Sequence, residues 1–218
     1  MDRFARLLMG YEQFRGSLSE DDRSLFQELA TGQSPSTLYI TCSDSRIDPS
    51  LFTKAKPGEL FVVRNAGNIV PCCDNATSKA DLGTIQFAVE VLKVEHVVVC
   101  GHSNCGAVIA MSNPESVRSF PYLEEWIKLS KDGLDLNPND SVCVNVRKNV
   151  LHQVGRLKKL DFVKSRIEDG TLRLHAWVFS IEDASIETYS VDTEQWVSLI
   201  NLNEKGEEPT PARRQQAN

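Results

Sequence analysis

No stretch of this chain approaches the roughly 20 consecutive apolar residues that a membrane-spanning helix needs. Residues Met1 to Gly16 alternate arginine and glutamate with apolar side chains, so the apolar heart of a secretory signal is missing too. Basic residues are in deficit: 24 Lys and Arg stand against 30 Asp and Glu, a net charge of -6. Nucleic-acid binding rests on cations neutralising phosphates, and this balance argues against it. The densest basic stretch, Arg147, Lys148, Arg156, Lys158 and Lys159, has helical spacing and reads as a solvated helix face. No Cys-x-x-Cys occurs, which removes a thioredoxin-like redox site. No internal repeat or linker divides the chain. These absences leave a protein expected in the cytoplasm or a compartment reached from it, with neither membrane nor nucleic acid as partner.

The 218 residues are enough for one domain with a sizeable core, and 41% hydrophobic and 25% charged residues suit a globular one. Three strand-length apolar runs, Thr37 to Thr41, Glu59 to Val63 and His96 to Gly101, are rich in Val and Ile and do not alternate, as expected of strands buried on both faces. Ala76 to Lys93 between the second and third carries a helical pattern, and strand, helix, strand in that order signals a parallel sheet with crossovers. Asn104 to Met111, Phe120 to Lys131 and Asn139 to Leu160 read as helices, Arg173 to Glu182 as a fourth strand, and Ile186 to Val191 as an antiparallel edge strand. The fold class expected is therefore α/β: a mainly parallel sheet of four strands plus that edge strand, flanked by helices. A helical arm over residues 1–34 precedes the α/β domain of 35–202, and a polar tail of 203–218 follows it. Within the arm, Phe4, Leu7, Leu8, Tyr11 and Phe14 recur every three to four residues, a stripe that can pack on its own domain or on another subunit. Ser19 reads as the N-cap of a second arm helix.

Six cysteines stand at 42, 72, 73, 100, 105 and 143. Cys100 and Cys143 lie in apolar surroundings and read as packed thiols; Cys72 and Cys73 follow a proline in a loop-like stretch. Only Cys42 and Cys105 have neighbours that suggest chemistry. Cys42 sits just past the end of the first strand in Cys42-Ser43-Asp44-Ser45-Arg46, and His102 and Cys105 sit just past the third in Gly101-His102-Ser103-Asn104-Cys105-Gly106. Open α/β sheets bind ligands outside the carboxyl ends of their strands. If these two strands are neighbours, two sulfurs and an imidazole converge there, a donor set that zinc accepts with a fourth tetrahedral position left over. Asp44 could fill that position and close the site. Alternatively, paired with Arg46 two residues on, it stays ionised and accepts a hydrogen bond from a metal-bound hydroxide. A phosphate loop of the cysteine phosphatases fails on spacing, since three residues rather than five separate Cys42 from Arg46.

These segments resemble the β-class carbonic anhydrases. Cys-Ser-Asp-Ser-Arg and Gly-His-Ser-x-Cys-Gly, in that order and about 60 residues apart, are a specific pair, joined by Pro57-Gly58-Glu59, Arg64-Asn65-Ala66-Gly67-Asn68 and Leu174-His175-Ala176-Trp177. The resemblance implies Zn2+ held by Cys42, His102 and Cys105, with Asp44 and Arg46 as the catalytic dyad. It implies reversible hydration of carbon dioxide to bicarbonate and a proton, by attack of zinc-bound hydroxide on CO2. Gln33, nine residues before Cys42, matches a substrate-binding glutamine of the plant-like branch. Phe61 matches a pocket aromatic contributed by the partner subunit, which implies a homodimer or a tetramer or larger built from it.

The chain departs from that branch at Phe87, where the pattern has tyrosine, and at Gln86, where it has glutamate; the substrate pocket is expected to lose one hydroxyl. Tyr39, Arg64 and Phe179 stand where another branch places tryptophan, arginine and tyrosine around an inhibitory bicarbonate. The expectation is therefore a site without that switch, with Asp44 off the metal. Two other readings are a hydrolase of a small relative of CO2, such as carbon disulfide, and a non-enzymatic zinc-stabilised partner protein. Of the four histidines only His102 is a ligand; His96, His152 and His175 fall in strand or helix segments, and no proton shuttle is identified.

Overall fold

The β-branched runs do form the sheet. In the computed structural model, which describes residues 2–71 and 79–200, six strands lie in the order β2-β1-β3-β4-β5-β6. They are β1 (Thr37–Cys42), β2 (Leu60–Asn65), β3 (His96–His102), β4 (Arg173–Phe179), β5 (Ile186–Ser190) and β6 (Gln195–Ser198). The first four run parallel, and β5 and β6 add antiparallel. The sheet thus carries the parallel strands and antiparallel β5 expected from sequence, plus β6 beyond it. Its tetrapeptide is too short and mixed in polarity to stand out.

Chain order and strand order disagree at one place, and that place positions the site. From β1 the chain moves outward to β2, then returns to place β3 on β1's other side. The crossovers leaving β1 and β3 therefore diverge, opening a crevice at their carboxyl ends, where ligands bind in sheets of this kind. Thr41 lies opposite Cys100 in that register, so Cys42 and His102, the last residues of their strands, emerge side by side.

Burial on the two faces follows the pleat. Leu38, Ile40, Val97, Val99, Ala176 and Val178 belong to the main core. That face is backed by the helices that follow, among them α4 (Lys79–Gln86), α5 (Gly106–Ser112) and α7 (Val142–Leu157). Tyr39, Val98, Cys100 and Phe179 form a smaller cluster on the other face with Ile47, joined by Phe52 of α3 (Pro49–Thr53) and Trp177. The second run departs from expectation: β2 is the sheet's edge, and only Val63 along it is buried. An edge strand has one covered neighbour, so apolarity alone did not guarantee burial on both faces.

α4 runs on into a π-helical turn, Phe87–Val91. α6 (Pro121–Lys131) and α7 match expected segments, whereas α8 (Asp161–Glu168) adds a helix not foreseen. Cys143 is exposed, correcting its reading as a packed thiol; it sits in the first turn of α7 on the outward side of an otherwise apolar-looking segment. Arg156 corrects the solvated-face reading. It is buried, and its guanidinium donates to the carbonyls of Val70, Leu129 and Asp132 at 3.0, 3.2 and 2.7 Å. Helical periodicity cannot show that carbonyls from the loop at Val70 and from the end of α6 meet beneath one arginine.

The chain divides into two compact units, Met1–Ser34 and Pro35–Asn218. The first holds α1 (Arg3–Ser17) and α2 (Glu20–Leu29). Ser19 and Asp22 form a reciprocal capping box at the start of α2, satisfying two backbone donors that a helix start leaves open. Phe4, Leu7, Leu8, Tyr11 and Phe14 are all exposed. No described helix is long and apolar enough to cross a membrane. Cys72, Cys73 and the tail 203–218 lie outside the described residues.

Candidate metal centre

Cys42, His102 and Cys105 converge in the crevice, all three buried, with their ligand atoms within 4.8 Å of one another. Cys42 and His102 come from strand ends, and Cys105 is the residue from which α5 starts. The two sulfurs are 3.9 Å apart, about twice a disulfide bond. Two Zn–S bonds of about 2.3 Å at a tetrahedral angle put sulfurs ~3.8 Å apart, so the spacing fits a shared metal. His102 supplies a second test. Its Nδ1 lies 2.8 Å from the Ser103 carbonyl oxygen and donates to it, which leaves Nε2 as the lone-pair nitrogen. Nε2 is buried and has no hydrogen-bond partner. A buried acceptor left unmatched beside two sulfurs is the donor arrangement a soft divalent ion satisfies.

The thiols are already biased toward that state. The Cys105 thiol donates toward Cys42, the His102 ring lies beside it, and the backbone N–H of Gly67 lies 3.4 Å from the Cys42 sulfur; these neighbours hold the Cys42 thiol below its usual range. Cys105 is pushed up by its neighbour's charge and by burial. Gly67 can deliver its N–H because it is glycine: φ is +90°, and a Cβ would lie 3.1 Å from Met111 Cε and 3.2 Å from Ala107 Cβ.

Asp44 stands at the rim. Arg46 grips both carboxylate oxygens, Nε to Oδ1 at 2.9 Å and a terminal nitrogen to Oδ2 at 2.8 Å, and the Arg46 backbone N–H adds a third bond to Oδ1 at 3.0 Å. Those hydrogen bonds hold the Asp44 carboxyl well below the usual carboxylate range. Oδ2 faces the cluster, 3.8 Å from His102 Nε2. Arg46 also reaches the Asn104 carbonyl at 3.3 Å, tying the loop after β1 to the loop after β3. Arg64, which stands where another branch places an arginine near bicarbonate, donates to the carbonyls of Cys42, Asp44 and Ile47 at 3.1, 2.8 and 2.8 Å. It holds the Cys42–Ile47 loop in shape. Phe179 stacks on Phe52 with ring centroids 4.6 Å apart.

Phe61 and Phe87 are brought together, ring centroids 5.9 Å apart, but away from this cluster. Asn65 is the residue of β2 opposite Cys42, and Phe61 lies four positions earlier, ~13 Å along the strand. Gln33 is exposed and belongs to the Met1–Ser34 unit, whereas the three candidate ligands belong to the other. His96 Nδ1 and His175 Nε2 pair at 3.1 Å at the amino end of the sheet. His152 lies on α7, with Nε2 3.1 Å from the Asp132 carbonyl oxygen. Sequence reasoning did not single out Ser103 or Gly67, whose carbonyl and N–H meet His102 and Cys42; only their place in the quoted motifs could have marked them.

An open α/β sheet with two cysteines and a histidine gathered at its switch point could hold a metal ion, and comparison with known proteins gives the family. The family model described as carbonic anhydrase matches residues 37–186. The chain is 37% identical over 190 residues to a carbonic anhydrase of Synechococcus elongatus, covering 83% of this chain and 70% of that protein. It is 36% identical over 200 residues to one of Pseudomonas aeruginosa, covering 88% and 90%. The solved structure of the β-carbonic anhydrase CcaA matches 90% of this chain and all of that one, with TM-score 0.80 and 34% identity. One of two tetrameric β-carbonic anhydrases from Sordaria macrospora matches 85% and 95%, with TM-score 0.73 and 29% identity. The chain belongs to the β-class carbonic anhydrases and is a carbonic anhydrase enzyme.

Proposed function

We propose that the protein interconverts carbon dioxide and bicarbonate at a zinc ion held by Cys42, His102 and Cys105. The observation that carries this reading is the buried, unpartnered His102 Nε2 facing two sulfurs 3.9 Å apart. A zinc ion there would supply Lewis acidity that brings the pKa of water down to about 7. Three protein ligands leave one tetrahedral position open for reactants, as catalytic sites do.

Asp44 works beside the metal rather than on it. Kept ionised by Arg46, it does not take up the proton of the attacking water; Oδ2 accepts a hydrogen bond and points the water's lone pair toward carbon. Gln33 donates from its side-chain amide to a substrate oxygen. Phe61 of the partner subunit forms an apolar wall with Phe87, an arrangement supported by their distance from the same chain's ligands. The exposed stripe of α1 and the tetrameric relative support a homodimer as the working unit.

Stopped-flow CO2 hydration with measured zinc content tests the reading. Wild-type protein should be active with about one zinc per chain and inactive after chelation, recovering when zinc returns. Asp44→Asn places an amide N–H against an arginine donor and removes the charge. It should lower kcat by about 10²–10⁴-fold while zinc content stays unchanged. Activity in Asp44→Asn close to wild type, or zinc lost with it, would refute the assignment.

A further inference from the structure

One acidic side chain outside the ligands and the dyad reaches both of them through neighbours. Glu182 follows β4, and its carboxylate accepts two short hydrogen bonds, from Ser103 Oγ to Oε2 at 2.6 Å and from Asn104 Nδ2 to Oε1 at 2.6 Å. Ser180 Oγ adds a longer bond to Oε2 at 3.2 Å. The clamped pair is the loop between two metal ligands. The Ser103 carbonyl is the acceptor that fixes the His102 tautomer, and the Asn104 carbonyl is the acceptor that Arg46 reaches across the crevice. Ser103 is further pinned by its N–H to the Phe179 carbonyl at 2.9 Å, while its Oγ accepts from the Ile181 N–H at 2.9 Å. Asn104 holds a left-handed φ of 52°, which asparagine adopts more readily than other non-glycine residues.

We propose that Glu182 is a positioning residue for carbon dioxide hydration: it clamps Ser103 and Asn104 so that one carbonyl orients His102 on the metal and the other orients Arg46 behind Asp44. The inference rests on the proposed function and adds to it a residue that touches neither substrate nor metal. Without the clamp, Asn104 loses its side-chain anchor and the Ser103 hydroxyl keeps only the Ile181 N–H. The tautomer-setting carbonyl and the brace on Arg46 then loosen together. Ionisation suits this role, since a carboxylate accepts from both donors at once, whereas an amide has one oxygen to offer. Ser103's hydroxyl, as the main donor, holds the Glu182 carboxyl below the usual carboxylate range.

Glu182→Ala and Glu182→Gln, compared with wild type, provide the test. Loss of an outer-shell partner of a metal ligand costs activity or metal affinity by about 10-fold or more. Glu182→Ala should therefore lower kcat about tenfold with KM unchanged, and weaken zinc binding in chelator competition. Glu182→Gln, keeping one of the two acceptors, should fall between. Urea unfolding of the metal-free proteins should coincide with wild type, since Glu182 is exposed. Wild-type kcat and zinc affinity in Glu182→Ala would overturn the proposal, as would losses matched by an equal fall in metal-free stability. If zinc-loaded wild type hydrates no CO2, the functional reading falls instead; the chelator competition still decides whether Glu182 positions His102.

Discussion

Gly101 immediately precedes His102, and helix α7 crosses directly behind it. A Cβ at this position would lie 2.7 Å from Val150 Cγ2 and 2.9 Å from Val146 Cγ1. Neither contact can be relieved cheaply. Both valines are fully buried, and a β-branched side chain in a helix has one strongly preferred χ1. Gly101→Ala must push α7 away from β3 or displace the strand end, and forced overpacking of this kind costs about 1–3 kcal/mol. Val150→Ala removes the nearer methyl and should itself cost about 2 kcal/mol through lost burial and a residual cavity. The two changes compensate, because the new methyl occupies the space the old one leaves. The double variant should therefore be more stable than the sum of the singles predicts, by about 1 kcal/mol or more. Urea unfolding of the metal-free proteins at one protein concentration measures all four corners without metal linkage. Zinc affinity should fall in Gly101→Ala and recover in the double variant if the strand end moves. Additive losses, or a Gly101→Ala within ~0.5 kcal/mol of wild type, would refute the packing argument.

Two further outcomes follow from buried groups elsewhere. Arg156→Met keeps the bulk but strands the carbonyls of Val70, Leu129 and Asp132, and should cost about 3 kcal/mol in urea unfolding; a loss below ~1 kcal/mol would show that water replaces the guanidinium. Burial, with the neighbouring His96 and Arg173, lowers His175 to about 4 from 6.5, so between those values the unfolded chain binds a proton that the folded chain refuses. Stability tied to His175 is complete above pH 6.5 and is lost as pH falls toward 4, by about 3 kcal/mol in all. Compared with His175→Gln, wild type should lose that much more over the interval, and parallel pH curves for the two proteins would refute it.

The ligand set was legible because its chemistry needs rare residue types at strand ends. Two cysteines, a histidine and the apolar runs just before them mark a candidate centre, provided that the two strands are neighbours. Adjacency of β1 and β3 was an added condition, and only the topology supplied it. Asp44 and Arg46 were legible as a pair because two residues across a turn can meet. The open question of metal ligand or charged neighbour is a matter of where carboxylate oxygens point. In the structure Arg46 holds both oxygens. Gln33 and Phe61 carry no local signal: an exposed amide before a turn and an aromatic on a strand occur in many proteins. They entered through resemblance alone, and a role that depends on a second copy of the chain leaves no periodicity in one copy.

The arginines show where sequence reading runs out. Arg46, Arg64 and Arg156 look alike in one dimension, yet one meets a carboxylate and two meet main-chain carbonyls. Arg64 gathers three carbonyls from the loop after β1, and Arg156 gathers three from segments around Val70 and Asp132. A loop that leaves a strand end to expose a ligand cannot pair its own carbonyls in a ladder, and burying them unpaired is costly. Arginine, with five fixed donors, can collect several such carbonyls at once. The charge that a sequence census assigns to solvent or substrate is thus spent on main-chain carbonyls, from Cys42 to Ile47 in one case and at Val70, Leu129 and Asp132 in the other. Arg46 alone keeps its charge for the chemistry, because Asp44, two residues away, reaches it before any carbonyl does.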